Sequence, residues 1–329
     1  MKANPLVSVC IPVYNGEKYI GTATESVLAQ TFKQFELIIV DNNSSDNTAA
    51  IIKKYTDDRI VYYKNPSTVS MGDNWNKCLS LCSGKYVCLL HADDSFLPDM
   101  LEEELKIIEG DEKIGFVFSG VNYIDENGRL VSERWPFKND YIAAGANEFK
   151  KHIFGNYIHC PSVMVRKECY DRVGGYKGSL RYFLDWDMWL RIELSSYKVA
   201  YISKILANYR IHSASATSTF EFIETPNETE EIIALIKDNF DLISLNNNYD
   251  KKTRKELLDK VLARYLLRSF RLMINHYLRH GRMDYITKTL RYLLFNRKWE
   301  KEFHPTFGTI LMIGKFGLNK IIRMIRGIA

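Results

Sequence analysis

Short apolar runs rich in β-branched residues alternate with helix-like segments through the first half of this chain. The runs show little of the polar alternation that a half-exposed strand needs, and such runs are typical of parallel strands covered by helices on both faces. The sequence therefore predicts an open, doubly wound α/β fold with a mainly parallel sheet. The predicted strands are Leu6–Ile11, Phe35–Val40, Ile60–Tyr63 and Tyr86–Leu90, and the predicted helices are Lys18–Gln30, Asp46–Tyr55 and Asn74–Cys82.

The pattern changes further along the chain, and the 329 residues are enough for two domains. A less regular middle section contains the predicted strands Phe116–Ile124, Ile158–Val165, Lys198–Ile202 and Ala207–Ile211, with a short helix at Asp185–Leu194. Beyond about Thr219 the pattern is helical only, and Leu257–Tyr277 has the apolar rhythm of an amphipathic helix. We therefore expect an α/β domain over residues 1–218 and an all-helical region over residues 219–329.

The net charge of +5 conceals two regions of opposite sign. Residues 251–329 contain 19 Lys and Arg against 5 Asp and Glu, a net charge of +14, whereas residues 1–250 contain 26 against 35, a net charge of −9. This asymmetry predicts that the second region faces an anionic partner.

The six cysteines show neither a paired CxxC motif nor zinc-ligand spacing, and we interpret them as structural thiols of a cytosolic protein. The beginning of the sequence lacks the apolar stretch of a signal peptide, and there is no uncharged apolar segment of about 20 residues to span a bilayer. We expect any membrane contact to be peripheral.

Polar residues follow three of the predicted strands, at the edge where doubly wound sheets bind their ligands. Tyr14-Asn15 follows the first strand, Asp41-Asn42-Asn43 the second, and His91-Ala92-Asp93-Asp94 the fourth. Two adjacent carboxylates repel unless a cation or donors lie between them, so Asp93 and Asp94 are a candidate Mg²⁺ or Mn²⁺ site that could hold a diphosphate. The alternative is a solvated turn that caps the helix predicted at Pro98–Glu109.

Asp41 and Asn42 have side chains that could pair with a nucleobase edge, and Tyr14 offers a ring on which a base could stack. Simple packing is the alternative for each of them. Asp46, in contrast, is predicted to be the N-cap of the following helix.

The segment LDWDMWLRIEL places Asp185 and Asp187 about 200° apart around a helix, so both cannot face one ligand. One is therefore available as a general base, and the other caps the helix or pairs, for example with Arg191. A carboxylate partly surrounded by tryptophan and leucine has a raised pKa, which suits proton abstraction from a hydroxyl. His212 follows the strand Ala207–Ile211 and is either a structural histidine or a ligand that completes a metal site.

Taken together and in order, these segments resemble family 2 glycosyltransferases of the GT-A fold over roughly residues 5–215. The motifs that carry the resemblance are VSVCIPVYNGEKYI with SVLAQTF, FELIIVDNNSSDNT, NWNKCLSLCSGKYVCLLHADDSFLP, VGGY, LDWDMWLR and YRIHSAS.

The resemblance implies a nucleotide-sugar donor across the strand ends, most simply a UDP-sugar, with dTDP- and GDP-sugars as alternatives. It implies Mn²⁺ or Mg²⁺ as cofactor and an inverting displacement in which Asp185 deprotonates the acceptor hydroxyl. The metal ligands would be Asp93, Asp94 and His212. Donor contacts would come from Pro12, Tyr14, Asn15, Asp41, Asn42, Asn76 and Asp93.

Three positions depart from the family pattern. His91 replaces an acidic residue and leaves the ribose contact open, Asn42 replaces a frequent aspartate and leaves the base open, and Leu184 replaces a frequent glutamate before Asp185. A sugar-phosphate nucleotidyltransferase would need a basic, glycine-rich loop where PVYNGEKY stands, and the sequence has no GxGxxG after a strand to indicate a dehydrogenase. A catalytically inactive sugar-binding or scaffold protein at a membrane is the other alternative.

The segment Gly308–Ala329 has an apolar stripe with lysines and arginines largely elsewhere. It is either a helix that packs on the catalytic domain or an interfacial helix on an anionic leaflet. The second interpretation, together with the resemblance, predicts a peripheral protein at the cytoplasmic face of the cell membrane that acts on a lipid-linked glycan acceptor in polysaccharide assembly. We expect no nucleic acid partner.

Overall fold

The computed structural model of the protein describes residues 4–215, 226–244 and 249–280. The chain divides into two compact units, Met1–Phe222 and Ile223–Ala329. The boundary predicted between residues 218 and 219 lies outside the described residues.

The described part of the first unit is built on one mixed sheet of ten strands. The strands are β1 (Val7–Val13), β2 (Phe35–Asp41), β3 (Ile60–Lys64), β4 (Tyr86–Leu89), β5 (Ser95–Phe96), β6 (Ile114–Ile124), β7 (Leu130–Arg134), β8 (Tyr141–Ala144), β9 (Val163–Arg166) and β10 (Lys198–Arg210). Their order in the sheet is β3-β2-β1-β4-β9-β6-β10-β5, with β7 paired to β6 and β8 paired to β10. The helices are α1 (Ile20–Leu28), α2 (Thr48–Ile52), α3 (Met71–Leu81), α4 (Met100–Gly110), α5 (Gly145–His152), α6 (Lys167–Val173) and α7 (Leu184–Leu194).

The three longest ladders of the sheet, β6/β10, β1/β2 and β2/β3, are parallel, as the apolar runs predict. Strand β9 is antiparallel to both β4 and β6. Two reversals restore the original direction, so β6 and β10 run the same way as β1 and β4. The carboxyl ends of the mutually parallel strands β1, β2, β3, β4, β6 and β10 therefore lie at one edge of the sheet.

Both faces of the sheet are covered, which confirms the doubly wound α/β prediction. Alternate residues of β1, from Val7 to Val13, pack with apolar side chains of α1 and α4 on one face. Cys10 of the same strand packs on the other face with apolar side chains of α3 and α7. The prediction that Ile60–Tyr63 is covered on both sides was wrong, because β3 is the last strand of the order and Val61 is 41% exposed.

The described part of the second unit is helical, as expected, and consists of α8 (Pro226–Ser244) and α9 (Lys251–His280). The predicted amphipathic helix Leu257–Tyr277 falls within α9, and its side chains Leu257, Val261 and Leu262 are buried. None of the described helices combines the length and the apolarity needed to span a bilayer. The predicted interfacial helix Gly308–Ala329 lies outside the described residues.

Candidate active site

The strand-end residues that the sequence singled out converge because parallel strands end at the same edge. Strand β1 lies between β2 and β4, so the segments beginning at Tyr14, Asn42 and His91 are neighbours. Strand β10 ends at the same edge and brings His212 to the turn after β4, where its Nε2 lies 3.0 Å from Asp93 Oδ2.

His91, Asp93 and Asp94 form a cluster of possible metal ligands, with one ligand atom from each residue within 4.8 Å of the others. His91 Nδ1 lies 3.5 Å from Asp94 Oδ2. Arg210 holds the turn at Asp93 and Asp94 in place. Its backbone amide donates to Asp94 Oδ1 at 2.8 Å and its Nε donates to the Asp93 carbonyl at 2.8 Å.

The two carboxylates of this cluster have pKa values displaced in opposite directions. Burial raises the pKa of Asp94 to about 6, and the neighbouring Asp93 carboxylate adds to the effect. Burial also acts to raise the pKa of Asp93, but the hydrogen bond with His212 and the charge of His91 outweigh it, so the pKa of Asp93 lies below its usual range. Such opposed shifts indicate an uncompensated buried carboxylate that a cation would neutralise.

The buried polar atoms of the cluster fit a divalent cation. Asp94 Oδ2 is buried and forms no hydrogen bond among the residues that the structure describes, and His91 Nδ1 lies 3.5 Å from it. Carboxylate oxygens suit Mg²⁺ and Mn²⁺, and an imidazole nitrogen suits the transition metal better. His91, treated from the sequence only as a departure from the family pattern, is therefore a candidate ligand, whereas His212 contacts Asp93.

Tyr19 supports this arrangement and was not singled out from the sequence. Its ring centroid lies 5.1 Å from that of His212, and the Arg210 guanidinium lies 4.6 Å from the Tyr19 centroid. The aromatic ring thus packs against both side chains that hold the turn at Asp93 and Asp94.

Tyr14 is 57% exposed and its ring is accessible from the strand-end edge. The turn that carries it is tight. Asn15 has a φ of 49° and its amide donates to Ser44 Oγ at 2.9 Å, while a Cβ on Gly16 would lie 2.5 Å from Val13 Cγ2. Pro12 is buried within β1.

Asp41 and Asn42 have their side chains engaged within the protein. Asp41 is fully buried and accepts hydrogen bonds from the Ser44 amide at 2.7 Å and the Tyr62 hydroxyl at 2.8 Å. Asn42 donates to the Val69 carbonyl at 3.0 Å and accepts from the Val69 amide at 2.9 Å. Both side chains are therefore held by the protein itself and form part of the wall at the strand ends.

Asn76 holds a loop through two hydrogen bonds to one residue. Its Nδ2 donates to the Tyr176 carbonyl at 2.8 Å and its Oδ1 accepts from the Tyr176 amide at 2.7 Å. A Cβ on Gly175 would lie 2.3 Å from Asn76 Oδ1, so the second glycine of the VGGY motif allows this close approach.

The structure distinguishes the two aspartates of α7. Asp187 is fully buried and forms ion pairs with Arg191 Nε at 2.8 Å and Lys177 Nζ at 2.9 Å, which is the pairing that the sequence considered for one of them. Asp185 is partly exposed, accepts from the Trp186 amide at 2.6 Å, and accepts from Asn156 Nδ2 at 3.2 Å. Burial raises the pKa of Asp185, and the Trp186 amide and the charge of His91 offset part of that effect.

Comparisons with known proteins agree with this geometry. Residues 8–173 match the profile described as Glycosyl transferase family 2. An uncharacterised glycosyltransferase of Methanocaldococcus jannaschii is 37% identical over 212 residues, which cover 63% of this chain and 71% of that protein. S. aureus TarS 1-349 in complex with UDP-GlcNAc has a TM-score of 0.70 at 19% identity and covers 87% of this chain and 79% of its own. The mannosyltransferase PcManGT from Pyrobaculum calidifontis in complex with GDP-Man and Mn2+ has a TM-score of 0.55 at 14% identity, with coverages of 88% and 84%.

The fold, the strand-end cluster and the profile match define a transferase built on the GT-A fold, which confirms the resemblance found in the sequence. The chain belongs to Glycosyl transferase family 2, and it is a glycosyltransferase.

Proposed function

We propose that the protein is an inverting, metal-dependent glycosyltransferase that moves a sugar from a nucleoside diphosphate donor to a hydroxyl group of a glycan acceptor. The observation that carries the proposal is the pairing of a buried acidic cluster at the strand ends with a separate, partly exposed carboxylate at the start of α7. When no cation is bound, a protonated His91 of the cluster opposes the rise in the pKa of Asp185 that burial causes, so the two groups interact electrostatically. One group suits the leaving diphosphate and the other suits the attacking hydroxyl.

The donor lies across the carboxyl ends of β1, β2 and β4 in this proposal. Tyr14 stacks on the base, and the turn at Asn15 and the buried side chains Asp41 and Asn42 shape the wall beside it. TarS, which shares the fold, is described with UDP and UDP-GlcNAc, and PcManGT with GDP-Man. We favour a UDP-sugar, with dTDP- and GDP-sugars as the alternatives.

Asp93, Asp94 and His91 hold the divalent cation, and His212 keeps Asp93 in position or completes the ligand set. When bound, Mn²⁺ or Mg²⁺ neutralises the charge that develops on the departing nucleoside diphosphate. The fit rests on the buried Asp94 Oδ2, which has no hydrogen-bond partner among the described residues, and on His91 Nδ1 beside it. Among the structures of the same fold, PcManGT is described with Mn2+.

Asp185 is the general base of the proposed reaction. Its carboxylate takes the proton of the acceptor hydroxyl as the oxygen attacks the anomeric carbon from the face opposite the diphosphate, which inverts the configuration. A carboxylate whose pKa is raised by burial is a better base than an exposed one.

The acceptor in this proposal is a lipid-linked glycan at the inner face of the cell membrane. The support is the net charge of +14 over residues 251–329, because each basic residue near an anionic leaflet contributes about 1 kcal/mol of binding free energy. A protein that ends near Phe303 should still bind donor but should sediment less with anionic liposomes. Equal sedimentation of the two proteins at low salt would contradict membrane binding.

The test of the function is a calorimetric screen of nucleoside diphosphates and their sugars with and without Mn²⁺, followed by transfer assays with the best donor. We expect metal-dependent binding, release of the nucleoside diphosphate only when acceptor is present, and a product of inverted anomeric configuration. Asp185→Asn should bind the donor normally and turn over roughly 10² to 10⁴-fold more slowly. Donor binding without transfer to any acceptor would favour a scaffold protein instead.

A further inference from the structure

A chain of hydrogen bonds runs from Asp185 into the interior between α5 and α7. Asn156 Nδ2 donates to Asp185 Oδ2 at 3.2 Å, and Asn156 Oδ1 lies 2.9 Å from His152 Nε2. His152 Nδ1 lies 2.7 Å from Glu193 Oε1. Both ends of this hydrogen-bond chain lie on α7, since Asp185 is at the beginning of the helix and Glu193 is near its end. His152 at the end of α5 and Asn156 just after it connect the two ends.

The positions of the protons in this hydrogen-bond chain can be assigned from one backbone contact. The Ile158 amide donates to Asn156 Oδ1 at 3.1 Å, which fixes the oxygen of the Asn156 amide on that side and points Nδ2 toward Asp185. His152 Nε2 contacts the same oxygen, which can only accept, so Nε2 carries a proton. The remaining proton lies between His152 Nδ1 and Glu193.

The interior end of the hydrogen-bond chain is buried. His152 and Glu193 side chains are both 0% exposed, and the Tyr157 ring lies 4.6 Å from the His152 ring. Trp186 Nε1 donates to the His152 carbonyl at 3.0 Å and ties the end of α5 to α7. Asn156 itself is exposed, so the chain reaches the surface where Asp185 is.

We propose that Asn156, oriented by the buried His152–Glu193 pair, is a positioning residue that fixes the Asp185 carboxylate and keeps it ionised for proton abstraction. This inference rests on the proposed role of Asp185 as general base. A donor that points at the charged form of a carboxylate favours that form, and a hydrogen bond into the Asn156 oxygen strengthens its Nδ2 as a donor.

Other titratable groups face this chain and have to be included in its pH dependence. Glu148 and Lys151 of α5 lie beside His152, and the Tyr141 and Tyr157 hydroxyls both donate to Glu148. On the side of the site, His91 and Asn156 are the groups that act on Asp185 together with His152. Burial raises the pKa of Glu193 to about 7, with His152 opposing the effect, while the charge of Glu193 raises the pKa of His152 against the effect of burial.

The experiment compares kcat, donor Kd and the pH profile of kcat for four variants. Asn156→Ala and His152→Ala should each lower kcat by about 10 to 100-fold and leave donor Kd unchanged. The acidic limb of the Asn156→Ala profile should move to higher pH, because loss of the donor raises the pKa of Asp185. Glu193→Gln keeps a hydrogen-bond donor for His152 Nδ1, so it should retain kcat within about threefold. Retained activity would also show that the protein folds without the Glu193 carboxylate.

Gln34→Ala is the matched control. Gln34 is also exposed and donates one hydrogen bond, to the Asn4 carbonyl at 2.9 Å, but it precedes β2 at the opposite edge of the sheet. It should leave both kcat and the pH profile unchanged.

Two outcomes separate this inference from the function on which it rests. Full activity of Asp185→Asn would refute Asp185 as the base, and the inference with it. An inactive Asp185→Asn beside an Asn156→Ala variant with wild-type kcat and pH profile would refute the positioning role alone. Equal damage from Glu193→Gln and His152→Ala would also refute it, because the orientation of His152 would then not explain the effect.

Discussion

Replacing Asp187 with asparagine should destabilise the first unit, whereas the same change at Asp185 should not. Asp187 is 0% exposed and pairs with Arg191, which is 6% exposed, and with Lys177, which is 28% exposed. Arg191 also donates to the carbonyls of Val173, Gly174 and Gly175, so its guanidinium is held in place and cannot turn toward water.

The loss of unfolding free energy caused by Asp187→Asn can be estimated from these contacts. Removal of one partner from a buried ion pair costs about 3–5 kcal/mol of unfolding free energy. Asparagine retains an acceptor oxygen for one of the two cations, and Lys177 can reach solvent, so we expect the lower value, about 3 kcal/mol. For a unit of this size 1 kcal/mol corresponds to about 2–4 °C in Tm, which gives a decrease of roughly 6–12 °C.

Replacing Asp185 with asparagine should not lower the stability of the first unit. Burial raises the pKa of this carboxyl, so a neutral amide removes a desolvation cost and Tm should stay equal or rise. Thermal unfolding by calorimetry of wild type, Asp185→Asn and Asp187→Asn, combined with turnover assays, measures both effects. A Tm for Asp187→Asn within 2 °C of wild type, roughly a 1 kcal/mol effect at most, would refute the ion-pair argument. A stable Asp187→Asn that has lost turnover would assign the base to Asp187.

Three further changes test other parts of the structure. Asp94→Asn should abolish Mn²⁺ binding, measured by calorimetry, and Mn²⁺-dependent transfer with it; transfer that persists in excess chelator would contradict the metal site. Tyr14→Ala should weaken nucleoside diphosphate binding by about 1–3 kcal/mol and Tyr14→Phe should not, so equal affinities for the two variants would exclude stacking. Burial raises the pKa of Glu104 well above the unfolded value of 4.5, so the wild type should lose stability relative to Glu104→Gln as pH rises from about 5 to 8. Urea unfolding at both pH values measures the difference, and a constant difference would mean that Glu104 does not titrate in this interval.

The strands that the sequence identified well are those buried on both faces. Their runs are predominantly apolar, and β1, β2, β4 and β6 lie where the runs predict them. Strand β10 was predicted as two strands because a polar pair, Ser203 and Lys204, interrupts it, and the structure has a register shift between Ile202 and Ile205 at that place. The short strands β5, β7 and β8 were missed because their residues are too few, or too exposed, to show a period.

The candidate site was predictable where it depends on strand ends and on one helix. Topology alone brings Tyr14, Asn42 and Asp93 to one edge, and helical geometry alone separates Asp185 from Asp187. The hydrogen-bond partners of these side chains could not be predicted from the sequence in the same way. Asp41 faces the crevice in the sequence pattern, yet its carboxylate is occupied by the Ser44 amide and the Tyr62 hydroxyl, and only the tertiary structure brings Tyr62 there.

The same reasoning explains why His91 and Asn156 were not singled out as functional residues. His91 was compared with the acidic residue that it replaces, although a neutral imidazole at that position can still be a ligand. Asn156 lies in a loop with no local pattern, and its hydrogen bonds to Asp185 and His152 depend on α5 and α7 packing side by side. The donor side of the site is thus determined by the parallel sheet and can be derived from the sequence. The surroundings of Asp185 depend on a contact between helices that no local pattern encodes, and under the proposed role of Asp185 variation there would change the acceptor without disturbing the nucleotide site.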